Sequence, residues 1–165
     1  MRRTHLFVTV AFLAGLALGL VARTVYTGML PRRTHAADFA AIEKAHQEDI
    51  EATLMQDPKK LINLWEEDAV NFIPGSSPAV GKLAIEAEHE KFRAQYPGFK
   101  VSRYTPKYKN IQVEDGLACE WFEREGEYKL SADSPLAKWQ AKGLQVLKRQ
   151  SDGSWKGVMV FVSQQ

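Results

Sequence analysis

The chain predicts an α+β domain in which three helices precede an antiparallel sheet. Three observations carry this expectation. Apolar residues recur at steps of three and four between Asp38 and Tyr96, the period of an amphipathic helix. Strand-like runs rich in aromatic and β-branched residues fill the chain from Lys100 onward. Asp115-Gly116 and Asp152-Gly153 separate successive runs, and Asp-Gly is favoured in tight hairpins because both residues tolerate positive φ.

The elements follow in a simple order. Asp38 to Met55 places Phe39, Ile42, His46, Asp49, Ile50 and Thr53 near one face, so the first helix has a partly polar inner stripe. Gln56-Asp57-Pro58 breaks it. Pro58 suits the first turn of a second helix, where an N–H would be unpaired anyway, and Asp57 caps it. Leu61, Leu64 and Trp65 form the expected buried side of that helix. Ala69 to Ile73 reads as a strand and Pro74-Gly75 as a loop. A third helix, Gly81 to Tyr96, aligns Ile85, His89, Phe92 and Tyr96 and stops at Pro97-Gly98. Strands are expected near 100–105, 107–113, 117–130, 138–150 and 155–163, without internal repeats.

The N-terminus reads as a targeting segment. Arg2 and Arg3 precede a 17-residue run without charge, Leu6 to Ala22, so the chain is expected to be exported. The run lies between the length of a signal peptide and that of a membrane span. Residues 1–22 are read as an uncleaved anchor with the domain on the far side of the membrane. Cleavage after Gly19 or near Thr34-His35-Ala36 would instead leave a secreted or periplasmic domain. Residues 23–37 form a linker, and 38–165 a single domain of ordinary globular composition. Five of the 22 basic residues precede Asp38 and no acid does, so 17 basic face 20 acidic residues beyond the linker. A net charge of −3 argues against a polyanion binder. Cys119, the single cysteine, excludes an intrachain disulfide and is expected to be a small buried residue.

The order from Ile42 to Gly81 resembles the nuclear transport factor 2-like superfamily, most closely its SnoaL-like branch. It comprises helix, break, short helix, a strand opening Asp68-Ala69-Val70, and a third helix opened by Gly81. Lys142 to Arg149, the Asp-Gly turn and Ser154-Trp155-Lys156 resemble the closing hairpin of SnoaL-like and ketosteroid isomerase-like proteins. The resemblance spans about Ile42 to Val162. It implies a sheet curled around the first helix into a cone whose open end is a ligand pocket. It also implies that Asp49 falls where ketosteroid isomerases place an oxyanion-donating tyrosine. Ile73, before Pro74-Gly75, stands where they carry the base, and Gly143-Leu144 where they carry a second acid. The pocket is therefore inherited more securely than its best-known chemistry.

His46, Asp49 and Thr53 share one helical face, so an imidazole, a carboxylate and a hydroxyl can meet one bound group. Asp49 and His46 are the candidate acid–base pair, with the structural alternative that they bond each other or nearby backbone. Asn71 is the polar residue nearest the missing base. Glu120 is expected to face the cavity, with Phe122 on the same strand face. On the last strand, Trp155, Met159 and Phe161 are assigned to one face and Val158, Val160 and Val162 to the other. Ligand contacts are expected from Thr53, Trp65, Asn71, Glu120, Phe122 and Met159.

Other chemistries lack support. Cys119 and the histidines have no zinc spacing, and Glu86-x-x-His89 occurs once where di-iron bundles need it twice, so no metal is expected. No G-x-S-x-G, P-loop or G-x-G-x-x-G is present, and no cofactor is expected. The aromatic and cationic run Phe99 to Lys109 reads as a solvated edge strand, not a nucleic-acid surface. Two functions remain open. One is a non-catalytic or weakly catalytic module binding a small apolar ligand and dimerising through its sheet. The other is a cyclase, isomerase or dehydratase using Asp49 and His46, with Glu120 and Asn71 orienting a carbonyl substrate.

Overall fold

The computed structural model describes residues 35–164, and the expected anchor and most of the linker lie outside them. Helix α1 spans His35–Met55, beginning three residues before the expected Asp38. Its inner stripe buries Asp38, Ile42, His46 and Ala52. Gln56, at φ 53°, turns the chain into α2, Pro58–Asn63, whose first N–H groups are capped by the Asp57 carboxylate (Lys59 N 3.0 Å, Lys60 N 3.1 Å). Strands β1 (Trp65–Phe72) and β2 (Ala79–Val80) precede α3, Lys82–Gln95. Strands β3 (Lys100–Glu114), β4 (Leu117–Lys129), β5 (Ala137–Arg149) and β6 (Trp155–Gln164) complete the chain.

The six strands form one curled sheet in the order β2-β1-β6-β5-β4-β3. All pairings are antiparallel except β1 with β6, which is parallel because the chain returns to β1 only after crossing the whole sheet. Asp115 and Gly116 both have positive φ (46° and 80°), as a two-residue hairpin requires. Where two strands were expected around Pro106, β3 runs through it. An edge strand leaves one side of its ladder unpaired, so the missing N–H is tolerated there.

Two small apolar clusters hold the layers together. Ile42 of α1 meets Ala118, Leu147 and Trp155 of the sheet. Ile62, Ala69 and Ile85 join α2, β1 and α3. The buried residue of α2 is thus Ile62, while the expected Leu61, Leu64 and Trp65 turn toward a cleft. Arg149 clamps the start of α1 through Asp38 (3.1 Å) while its side chain lies over Gly116. Cys119 is exposed, correcting the expected burial, because it alternates with the inward-facing Ala118 and Glu120.

Candidate functional site

Between α1 and the inner sheet face lies a cleft of two compartments. The small one, about 80 Å³, is bounded by His46, Tyr108, Gln145 and Leu147 together with Trp155. The large one, about 250 Å³, is bounded by Thr53, Asn71, His89, Tyr104 and Trp139, with Ile73 and Val162. Asp49, Leu64, Trp65, Arg124 and Val160 border both. The two spaces therefore meet at one carboxylate, one guanidinium and an apolar wall.

Strand alternation puts Glu120, Phe122 and Arg124 of β4 on the inner face, beside Tyr108 of β3 and Gln145 of β5. Glu120, only 1% exposed, accepts from His46 Nε2 at 2.7 Å and from the Gln145 amide. Gln145 Oε1 accepts in turn from Arg124 Nη2 at 3.1 Å. Arg124 lies 4.0 Å from Asp49 Oδ2, and that oxygen accepts the hydroxyls of Tyr104 (2.8 Å) and Tyr108 (3.0 Å). The His46 and Tyr108 rings stack at 3.6 Å and 5°, which closes the chain of contacts on itself. The guanidinium also rests 3.9 Å above the Phe122 ring, and that ring occupies the space a Cβ on Gly143 would need.

The charges follow from this packing. Burial, and then the Asp49 carboxylate, push the phenol pKa values of Tyr104 and Tyr108 well above the ordinary value, so both remain proton donors. Burial works against the Arg124 charge, but Tyr104, Asp49 and Tyr108 outweigh it and hold its pKa above the usual value. Burial, with Arg93 next, lowers the pKa of His89, whose imidazole is neutral at pH 7.

His46, Asp49, Thr53, Trp65 and Asn71 all border the cleft. His46 and Asp49 do not bond each other: the imidazole is committed to Glu120 and the carboxylate to two tyrosines. Glu120 faces inward but is sealed behind His46, and Phe122 lies beneath Arg124, so neither borders the cleft. Met159 is a correction: it is exposed on the outer face. A register shift at Gly157–Val158 reverses strand parity within β6, bringing Trp155 and Val160 to the inner face and sending Met159 and Phe161 outward.

Sequence reasoning missed Tyr104, Tyr108, Arg124, Gln145 and His89. A signal existed for the tyrosines: in the run 103–109 the aromatics occupy even positions and the cations odd ones, the alternation of a half-buried strand. Gln145 and Arg124 carried no comparable mark, because their roles depend on partners from other strands.

A curled sheet wrapped on α1, with a cleft at the helix–sheet junction, is the cone-shaped fold of nuclear transport factor 2-like proteins. No protein-family model and no curated protein matches the sequence. Among solved structures it is similar to a ketosteroid isomerase-like protein from Erwinia carotovora (TM-score 0.64, 21% identity, covering 76% of this chain and 94% of that one). It is also similar to a proposed dehydratase of the nuclear transport factor 2-like family from Streptomyces avermitilis (TM-score 0.65, 16% identity, covering 78% and 97%). A proposed scytalone dehydratase from Novosphingobium aromaticivorans gives TM-score 0.65 at 16% identity, covering 79% and 86%. The fold neighbours thus include isomerase-like and dehydratase-like proteins, and at these identities the likeness is one of fold.

Proposed function

We propose that the chain is an exported, membrane-anchored module that binds a small, largely apolar ligand in the two-compartment cleft. The observation that carries this reading is that the cleft's charged groups are bonded to one another, and of their buried atoms only Glu120 Oε2, His46 Nδ1 and Arg124 Nε are left without a partner among the described residues. Glu120 is occupied by His46 and Gln145, and the Asp49 oxygen Oδ2 by two phenols. Such a network fixes the shape of a site, and it ties His46 Nε2, Glu120 Oε1 and Asp49 Oδ2 to one another or to the phenols instead of to a ligand. Ile73 at the position of the isomerase base supports the same reading. Export rests on the uncharged run Leu6 to Ala22, and cleavage there would release the module as a secreted or periplasmic protein.

A homodimer formed through the outer sheet face belongs to this proposal. Leu144, Met159 and Phe161 are each at least 40% exposed, and the β-ladders set them side by side with Val146. Exposed apolar patches of this kind mark interaction surfaces.

A second reading, acid–base catalysis on a carbonyl substrate, is favoured by one observation. Asp49 borders both compartments and keeps Oδ1 free of protein donors among the described residues. A thermal-shift screen against steroids and aromatic polyketides tests binding, and a shift with at least one class is expected. No shift with any class would refute the proposal. Turnover of a shifting ligand that is lost in Asp49→Asn would establish the enzymatic reading instead.

A further inference from the structure

The two compartments differ in what they can admit. A dry apolar cavity of about 150 Å³ suffices to hold benzene, so a space of about 80 Å³ takes substituents or waters, whereas about 250 Å³ takes a ring system. The ring of a bound ligand therefore belongs in the large compartment, where Trp65 and Trp139 offer flat apolar walls.

Besides the Thr53 hydroxyl, two polar side chains in that compartment take no part in the hydrogen-bond network. Asn71 of β1 is 8% exposed, and His89 of α3 is half-buried. Neither makes a side-chain hydrogen bond to another described residue, and neither has its polar atoms sealed away, so both are reached from the compartment they line. Water would satisfy them in the free protein, and a ligand that expels the water must replace those bonds or lose affinity. The charged and titratable groups around His89 are Arg93 and Glu86 on its own helix, with Asp49, Arg124 and the neutral phenol of Tyr104 across the compartment. A neutral imidazole offers a lone pair to a hydroxyl, and an anionic substituent meets the Asp49 carboxylate on a wall whose guanidinium, Arg124, is already turned to Asp49 and Gln145.

We propose that the large compartment is the subsite for a hydroxyl-bearing aromatic ring, with His89 accepting the hydroxyl's hydrogen bond and Asn71 flanking it. This rests on the ligand-binding reading above and adds to it the chemistry of the ligand's polar edge. It also moves the proton-accepting histidine of the site from His46, which is committed to Glu120, to His89.

The full-length chain in detergent micelles is titrated with 2-naphthol, 2-methylnaphthalene and 2-naphthoate by equilibrium dialysis against protein-free micelles. Long-range proton–nitrogen correlation follows the histidine ring nitrogens in parallel. One neutral hydrogen bond predicts that 2-naphthol binds about five-fold tighter than 2-methylnaphthalene, with 2-naphthoate weakest. The His89 ring nitrogens move with 2-naphthol only, and His89→Phe removes its advantage without weakening the methyl compound. Equal affinities for 2-naphthol and 2-methylnaphthalene, or unmoved His89 nitrogens in the wild type, overturn the proposal while leaving the cleft intact as a binding site. Binding of none of the three overturns the ligand-binding reading and this proposal with it.

Discussion

Glu120 is the buried hinge of the polar network, and removing it measures how much the network contributes. His46 and Glu120 are 3% and 1% exposed and meet at 2.7 Å, so neither can recruit bulk water if its partner is lost. Leaving a buried polar group without its hydrogen-bond partner costs about 1–3 kcal/mol, and more where the group is charged. Glu120→Leu also strands the Gln145 amide that donates to the same oxygen, so a loss of about 4 kcal/mol is expected. In a domain of this length that corresponds to a fall in Tm of roughly 15 °C. His46→Phe retains a ring to stack on Tyr108 but leaves the buried Glu120 carboxylate with the Gln145 amide as its one donor, and should cost about 3 kcal/mol. The double variant removes both ends of the pair and should lose about 2 kcal/mol less than the sum of the singles. Urea unfolding followed by tryptophan fluorescence measures all three. If the two losses add within about 0.5 kcal/mol, the pair is not coupled and the network account is wrong.

Three further outcomes follow from the geometry. Tyr104 and Tyr108 keep their protons to unusually high pH, so Tyr104→Phe/Tyr108→Phe should leave unchanged the tyrosinate absorbance that develops below about pH 11. Because the raised pKa values mean that the folded state binds these protons more tightly, their contribution to stability is complete below about pH 10 and declines above it. Lost absorbance in the double variant would contradict the burial of the phenols against Asp49. Gly143→Ala drives a Cβ into the Phe122 ring and the Phe161 carbonyl, and should cost at least about 2 kcal/mol in the same unfolding assay; a neutral effect would mean that Phe122 has room to move. Phe161→Glu charges the outer face and should convert dimer to monomer in analytical ultracentrifugation, leaving ligand affinity within about two-fold. A monomeric wild type would refute the dimer.

The elements that could be read along the chain are those specified by local chemistry. Asp57 and Pro58 mark a helix start because capping and a fixed φ act within one turn. Asp115-Gly116 marks a hairpin because two successive positive φ values suit few other pairs. His46, Asp49 and Thr53 were recognisable as a group because helical period alone puts them on one face. β3 was misread as two strands because Pro106 breaks a central strand but not an edge strand, and edge position is a property of the whole sheet. Met159 was misassigned because one bulge reverses parity, and Gly157 is the one local sign of it between Lys156 and Val158.

Composition, periodicity and turn chemistry along the chain thus suffice for an α+β order of elements and for a polar stripe on its first helix, since each acts over a few residues, whereas the cone was implied only by the family resemblance. Which partners that stripe meets is settled only when four strands align. Register sets Glu120 opposite Gln145 and Arg124 opposite Ala141, and that placement sets the Glu120 carboxylate against His46 Nε2 while His89 borders the large compartment. The difference is one of range. Helix and turn signals are energies between near neighbours, whereas hydrogen bonds between residues 55 to 74 positions apart exist only after the sheet has closed around α1.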